Sequence, residues 1–324
     1  MLLGAAPFAL RDQPTIYNMQ MKNILTEWRK FVNERVKPGE FYPKEFDKFL
    51  DLIKENENSI WVFFDTETTG LKYKEEQVQV TQIACAAYDV RGMTEGTEPK
   101  LLETFNKKIK LSPQTLKYME AQDEHIKGGG TVDYMSMRDI LKMNQYFDES
   151  QDFLELADAI KDFNEFLGSM ESKSESGEIV IIAQNSPFDV GVINTAYERL
   201  KLSPPEYELW DTKAPLELYF VPIIEKIKDD PEASEEEKSI VTKLIKKNRK
   251  GKDYVSTSLG VVTAAFDLKD KGWHNALADV QMTLDLLMAV IRFVKDKKDK
   301  YSIDYSNVRS FDAVAGDPYS PKRS

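Results

Sequence analysis

Two short apolar segments, each followed directly by polar and acidic residues, constrain the fold of this chain more than any other feature. They are residues 59–64 (SIWVFF), which precede Asp65, and residues 178–183 (EIVIIA), which precede Gln184. An apolar run of this length is typical of a β-strand that is buried on both faces. Because helices usually cover both faces of such strands, the two segments indicate an α/β protein.

The rest of the chain supplies further strands and helices. Residues 77–90 and 101–110 are rich in β-forming residues, and with residues 59–64 they predict three successive strands in an antiparallel meander. Residues 206–210 predict a fifth strand. We therefore predict a mixed five-stranded sheet flanked by helices. The predicted helices span residues 113–123, 153–167, 187–200, 256–266 and 274–294.

Changes in pattern divide the chain into three parts. Residues 1–57 predict a helical N-terminal extension that packs on the following domain, because apolar residues recur there at helical spacing. Residues 58–300 predict the main domain, with insertions at about 120–150 and 225–252. Residues 301–324 have no core-forming pattern and predict a C-terminal tail.

Composition excludes several kinds of protein and of metal site. The 324 residues contain one cysteine, Cys85, and two histidines, His125 and His274, which excludes a disulfide framework and a conventional structural zinc site. A catalytic metal would bind mainly to carboxylates, which favours Mg²⁺ or Mn²⁺. No apolar segment is long enough to span a bilayer. Residues 1–10 lack the positive charge of a signal peptide, so we expect an intracellular, cytoplasmic protein with no membrane partner.

The first acidic motif, residues 65–70 (DTETTG), directly follows the first buried strand. Side chains two residues apart in a strand point to the same face, so Asp65 and Glu67 project together. Neighbouring carboxylates at the end of a buried strand repel each other, and a divalent cation removes that conflict. The alternative is an exposed strand end with two solvated acids.

Two further motifs place acids near the start of predicted helices. Asp189 lies early in one helix, where the helix dipole favours a carboxylate whether or not it binds a ligand. Asn185 either caps that helix or holds a ligand. His274 and Asp279 lie five residues apart, so they converge only if His274 precedes the helix. A lone histidine is more often structural than catalytic, and a structural role is what we expect for His125.

In this order, the three motifs resemble those of the DEDDh family of 3′→5′ exonucleases, which includes the proofreading subunits of bacterial replicative polymerases. The resemblance implies a ribonuclease H-like fold. It is carried by residues 64–70 (FDTETTG), 181–193 (IIAQNSPFDVGVI) and 274–287 (HNALADVQMTLDLL), with residues 210–212 (WDT) as the short strand and turn between the second and third motifs. Many members have histidine where this chain has Gln184, which puts a contact near the scissile nucleotide in doubt.

The resemblance also implies catalytic roles within a two-metal mechanism. Asp65 would bridge two Mg²⁺ or Mn²⁺ ions, and Glu67 and Asp279 would complete the site of the nucleophilic water. Asp189 would hold the second ion, and His274 would act as general base, since its ordinary pKa suits proton abstraction near neutrality.

Substrate-binding residues follow from the same resemblance. Backbone groups from Thr66 to Thr68 and the apolar side chain of Leu71 would position the terminal nucleotide. Asn185 would hold a ligand there, and Phe188 would either stack on a base or anchor its helix to the core.

Three functions fit these motifs. The first is a 3′→5′ exonuclease that releases 5′-mononucleotides from the 3′ end of single-stranded DNA in replication or repair, with a separate DNA polymerase chain as a possible partner. The second is the same enzyme acting on RNA or short oligoribonucleotides, because the motifs do not reveal contacts to the 2′-OH. The third is a nucleic-acid-binding scaffold that derives from a nuclease, which the intact acids disfavour.

The charge distribution qualifies how such an enzyme would hold its substrate. The net charge of −11 argues against a protein that coats nucleic acid by bulk charge. Residues 243–252 are locally basic (KLIKKNRKGK), and they are either a solvated helical face and turn or a lip that contacts a phosphate backbone.

Overall fold

The computed structural model describes Pro43 and residues 45–132, 135–147, 152–205, 207–248, 250–268 and 275–302. His274, the predicted general base, lies outside these residues. The described residues belong to one compact unit, Pro43–Val308. The predicted division into extension, main domain and tail stays a prediction.

Six strands form one mixed sheet, in the order β4-β3-β2-β1-β5-β6. The strands are β1 (Ile60–Thr68), β2 (Val80–Asp89), β3 (Lys100–Ile109), β4 (Phe153–Leu154), β5 (Ile179–Ala183) and β6 (Glu208–Asp211). β1, β2 and β3 are antiparallel, as the predicted meander requires, and β5 runs parallel to β1 and to β6. The α/β class is confirmed, but the sheet has six strands rather than five. The sixth strand, β4, pairs in parallel with the end of β3, in a position where we predicted the start of a helix.

Nine helices occur within the described residues. They are α1 (Phe46–Glu55), α2 (Pro113–Lys127), α3 (Met137–Met143), α4 (Leu156–Lys173), α5 (Ser186–Leu200), α6 (Val221–Asp229), α7 (Glu235–Leu244), α8 (Leu259–Ala265) and α9 (Ala276–Lys297). Short helical turns occur at Met93–Glu95 and Lys213–Pro215, and a π-helical turn at Leu216–Phe220 precedes α6. None of these helices has the length and apolar character that crossing a bilayer requires.

Alternation along β1 divides the core between the two faces of the sheet. Val62 and Phe64 point to one face and pack in a cluster with residues of α4 and α5, including Phe163 and Val192. Trp61 and Phe63 point to the other face, which α9 covers. On that second face, α1 contributes Phe49, whose ring contacts those of Trp210 and Tyr219.

The topology gathers several strand ends at one edge of the sheet. β1, β3, β5 and β6 point the same way, so Thr68, Ile109, Ala183 and Asp211 end at that edge. Ligand sites in α/β proteins commonly form outside the carboxyl ends of parallel strands. Asp65 and Glu67 lie in the last residues of β1, and Asp189 lies in the helix that follows β5.

A second, two-stranded sheet lies apart in sequence from the main one. It consists of β7 (Ile245–Lys247) and β8 (Asp253–Val255), which pair antiparallel. The basic segment 243–252, for which a helical face was one expectation, therefore begins at the end of α7 and continues as a β-hairpin.

Candidate active site

Three carboxylates come together where β1 reaches the edge of the sheet. Asp65 and Glu67 share a face of β1, and the strand's register shifts after Glu67, an irregularity that re-aims side chains near active sites. Asp279 lies in the first turn of α9, which packs across β1. Each of the three offers a carboxylate oxygen within 4.8 Å of the others. The structure thus brings together the predicted first and third motifs.

This three-acid cluster resists ionisation. Burial, followed by the charges of Asp189, Glu67 and Asp279, raises the pKa of Asp65 well above its usual range. Burial and the nearby charge of Asp279 raise the pKa of Glu67 to about 8. Carboxylates in such a site remain protonated near neutrality unless a positive charge compensates them. The cluster therefore has the electrostatics of a cation site.

Asp189 adjoins this cluster but is held separately. It lies in the first turn of α5 and is 3% exposed. Its Oδ1 accepts hydrogen bonds from the backbone N–H of Thr66, at 2.9 Å, and from the Thr66 hydroxyl, at 2.7 Å. Burial raises the pKa of Asp189 to about 7, against the lowering effect of these hydrogen bonds. Thr66 therefore joins the second motif to the first.

Asp211 positions the start of α5. Its Oδ1 accepts a hydrogen bond of 2.9 Å from the backbone N–H of Asn185 and another of 2.9 Å from that of Lys213. Asn185 itself has φ = 63° and makes no side-chain cap hydrogen bond, so Asp211 of β6 supplies the carboxylate that caps the helix. The side chain of Asn185 is exposed, and its predicted ligand role stays a prediction.

Gln184 has a structural role in this structure. Its Nε2 donates to the backbone carbonyl of Thr257, at 3.0 Å, and its Oε1 accepts from the Thr212 hydroxyl. The residue that departs from the family pattern thus ties the end of β5 to the segment that follows β8.

The remaining predicted substrate residues differ in exposure. Leu71 is 41% exposed and accessible to a ligand. Thr68 is buried, and its hydroxyl donates to the carbonyl of Gly70. Phe188 is half-buried, packs on the core cluster and meets Tyr73 edge to face, which fits its alternative role as a core anchor. Their contacts with substrate stay predictions.

Sequence reasoning missed three polar residues beside Glu67. Asn144, at the end of α3, is buried and donates a hydrogen bond that lowers the pKa of Glu67. Gln82 and Lys108 lie directly across β2 and β3 from Glu67, and both are nearly fully buried. The Nζ of Lys108 donates to the carbonyl of Gln145. A lysine within a β-rich segment was the available signal for Lys108, whereas Asn144 lies in a segment that looked irregular.

The chain belongs to a family of 3′–5′ exonucleases. Residues 61–236, more than half of the chain, match the family model described as the 3′-5′ exoribonuclease Rv2179c-like domain. This family match confirms the predicted DEDDh-type relationship. The matched residues include Asp65, Glu67 and Asp189 and end before Asp279.

Several solved structures resemble this chain at low sequence identity. The complex of E. coli exonuclease I with a dT13 oligonucleotide is 17% identical, with a TM-score of 0.45, over 75% of this chain and 42% of that one. Cell-death related nuclease 4 (CRN-4) is 16% identical, with a TM-score of 0.39, over 72% of this chain and 64% of that one. The chain thus spans less than half of the exonuclease I chain. No curated protein sequence matches it.

Proposed function

We propose that this exonuclease removes nucleotides from the 3′ end of single-stranded nucleic acid by metal-dependent hydrolysis, with RNA as its substrate. The observation that carries the proposal is the group of three acids, Asp65, Glu67 and Asp279, whose oxygens lie within 4.8 Å of one another. The family description supports the reaction and favours RNA.

The residues present fit a divalent cation. Carboxylate oxygens are the ligands that Mg²⁺ and Mn²⁺ prefer, and the raised pKa values of Asp65 and Glu67 indicate an uncompensated negative site. Two buried amide oxygens, Asn144 Oδ1 and Gln82 Oε1, have no hydrogen-bond partner among the described residues. Such oxygens suit ordered water or the water around a hydrated ion. Asp65, Glu67 and Asp279 would hold the ion, with Asp189 beside a second one.

Bound Mg²⁺ or Mn²⁺ would supply a nucleophilic water and stabilise the charge that develops on the phosphate and the leaving oxygen. The reaction adds one water across the last phosphodiester bond: the water oxygen binds phosphorus, and the 3′-oxygen of the preceding nucleotide leaves with a proton. Asn144 orients Glu67, and Thr66 orients Asp189. His274 is the proposed base that accepts the proton of the water.

Single-stranded DNA, the substrate expected from the sequence, is the second candidate. A site that accepts RNA selectively must contact or accommodate the 2′-OH, so the two sugars separate the candidates directly. A separate polymerase chain as partner stays a prediction from the sequence alone. Neither the described residues nor the family description supports it.

The test is a time course of degradation of 5′-labelled RNA and DNA of the same sequence, with Mg²⁺, Mn²⁺ or EDTA. We expect a ladder that shortens from the 3′ end, faster on RNA, and that disappears with EDTA and in Asp65→Ala. Asp51→Asn is the matched control, because Asp51 is an exposed acid on α1. If folded, metal-loaded protein produces no ladder on either substrate, the proposal is wrong. If DNA is degraded faster than RNA, the substrate is DNA and not RNA.

A further inference from the structure

The β-hairpin of residues 245–255, called the arm below, is attached beside the active site. Thr257, two residues after β8, accepts the hydrogen bond from Gln184 Nε2. β1 and β5 pair in parallel, with Phe63 opposite Ile182; Asp65 lies two residues after Phe63, and Gln184 directly follows the end of β5. Neighbouring strands lie about 4.8 Å apart. The base of the arm is thus one hydrogen bond from the residue next to the acid cluster.

Asn248 makes several hydrogen bonds with residues 250–252 at the tip of the arm. The Asn248 Oδ1 accepts hydrogen bonds from the backbone N–H groups of Lys250, at 2.9 Å, and Lys252, at 3.0 Å. The Asn248 N–H donates to the Lys252 carbonyl, and Gly251 provides φ = 74°, a conformation that favours glycine. A pre-shaped turn loses little conformational entropy when it binds.

The two faces of the arm differ. Lys247 and Asp253 share one face and form an ion pair of 2.9 Å, and Asp253 also lies 3.8 Å from Lys228 of α6. Tyr254 and Lys246 are directly opposite each other on the other face. Both are exposed, and Tyr254 is 48% exposed. One face therefore fastens the arm to the domain, and the other presents an aromatic ring beside an ammonium group.

The charges of the basic segment also separate into two sets. Lys243 pairs with Asp267, and Lys247 pairs with Asp253. Lys246, Lys250 and Lys252 are exposed, and within the described part of the chain none of them lies within ion-pair distance of a carboxylate. Three such amines on one hairpin contrast with the net charge of −11.

We propose that the arm binds single-stranded nucleic acid on the 5′ side of the nucleotide that is removed. Tyr254 stacks on a base, and Lys246, Lys250 and Lys252 contact phosphates. An exposed aromatic ring among amines is the combination that binds single strands without sequence preference. The occupant is a nucleic acid strand because the site that holds its 3′ end adjoins the base of the arm, and to that extent the proposal rests on the proposed function.

The first test measures binding of a labelled twelve-nucleotide strand to the full chain in EDTA, by fluorescence anisotropy. We expect Tyr254→Ala to weaken binding about fivefold or more, and Tyr254→Phe to retain it, because the ring and not the hydroxyl stacks. Lys246→Gln reduces the slope of log affinity against log salt by about 0.7, the value for one phosphate contact of a single strand. The control is Lys100→Gln, which removes an exposed charge at the start of β3, the end of that strand farther from the active site.

The second test compares cleavage of the twelve-nucleotide strand with cleavage of a dinucleotide, which lacks the further bases and phosphates on the 5′ side that the arm is proposed to bind. The ratio of kcat/KM for the long over the short substrate falls at least fivefold in Tyr254→Ala and is unchanged in Lys100→Gln. If wild type and the arm variants have the same affinity, the same salt slope and the same ratio of kcat/KM values, the proposed role of the arm is wrong, even if the enzyme is active. If the protein cleaves neither substrate but the arm variants lose binding, the arm does bind nucleic acid and the proposed function is wrong.

Discussion

The acid cluster and the arm are both dense in charge, yet they occupy opposite environments. Asp65, Glu67 and Asp279 are close together; Asp279 is buried, Asp65 and Glu67 are half-buried, and the pKa values of Asp65 and Glu67 are raised. Lys246, Lys250 and Lys252 of the arm are exposed to solvent. The cluster concentrates one sign of charge in a poorly solvated site, and the arm presents the other sign to water.

The difference indicates which physical effect each region can use. In a poorly solvated site, like charges interact strongly, so three ionised carboxylates destabilise one another and a bound cation would relieve that repulsion. In water, each amine contributes little and is screened by salt, so the arm adds affinity only through several contacts. Under the two proposals, the acid cluster carries out the chemistry and the arm retains the substrate. The predictions below test this division.

The largest effect is expected for Asp65→Asn. The change removes the carboxylate that interacts with all the other acids, so hydrolysis should fall to background in a steady-state assay. It also relieves repulsion in the metal-free protein and should raise Tm by about 2–4 °C for each ~1 kcal/mol relieved. Asp51→Asn should change neither quantity. A variant that is inactive but also less stable without metal would contradict the electrostatic description of the cluster.

Asn144→Ala should lower kcat about 10- to 100-fold, in the range for residues that orient metal ligands. The side chain hydrogen-bonds Glu67 and donates to the Thr68 carbonyl at 3.5 Å, so its loss frees Glu67 to move. Asn56→Ala is the matched control, because Asn56 also ends a helix and donates to a backbone carbonyl, that of Leu52. If both variants lower kcat equally, the loss comes from the helix end and not from the contact of Asn144 with Glu67.

The stability of the metal-free protein should fall as the pH rises from about 5 to 8. Glu67 and Asp189 have pKa values of about 8 and about 7 in the folded chain, well above those of unfolded carboxyls. The folded state therefore binds more protons in this range, so deprotonation favours unfolding. Thermal melts in EDTA check this sign, and Mg²⁺ should reduce the decline. The same pH slope in Glu67→Gln as in wild type would show that Glu67 is not responsible.

The smallest effect is expected within the arm itself. Lys247→Gln removes the same charge as Lys246→Gln, but Lys247 is paired with Asp253 on the fastened face. Because Lys247 is on the face opposite Tyr254 and its charge is offset by Asp253, Lys247→Gln removes no proposed phosphate contact and should leave the salt slope of binding nearly unchanged. Anisotropy titrations at several salt concentrations measure the slope. Equal slopes for the two variants would mean that total charge, and not the face it occupies, determines binding.

The sequence by itself determined the strands and the acids that end them. Runs such as residues 60–64 are apolar on both faces and can only be stable inside a covered sheet. An acid that follows such a run directly lies toward the end of that strand, as Asp65 and Glu67 do in β1. The apolar runs and the acids near them are therefore enough to single out Asp65 and Glu67, and the helix start that follows the second run singles out Asp189; the family match includes all three.

Only the tertiary structure decided which distant residues complete the site. Asn144 reaches Glu67, and Thr257 accepts from Gln184, across separations along the chain that no local pattern encodes. The short strand β4 forms because the end of β3 offers it backbone partners, although its own residues continue a helical pattern. Within the hairpin strands, the register places Lys246 and Lys247 on opposite faces, and only Lys247 lies opposite an acid, Asp253. Local periodicity follows from backbone geometry, whereas these contacts depend on how the whole chain packs.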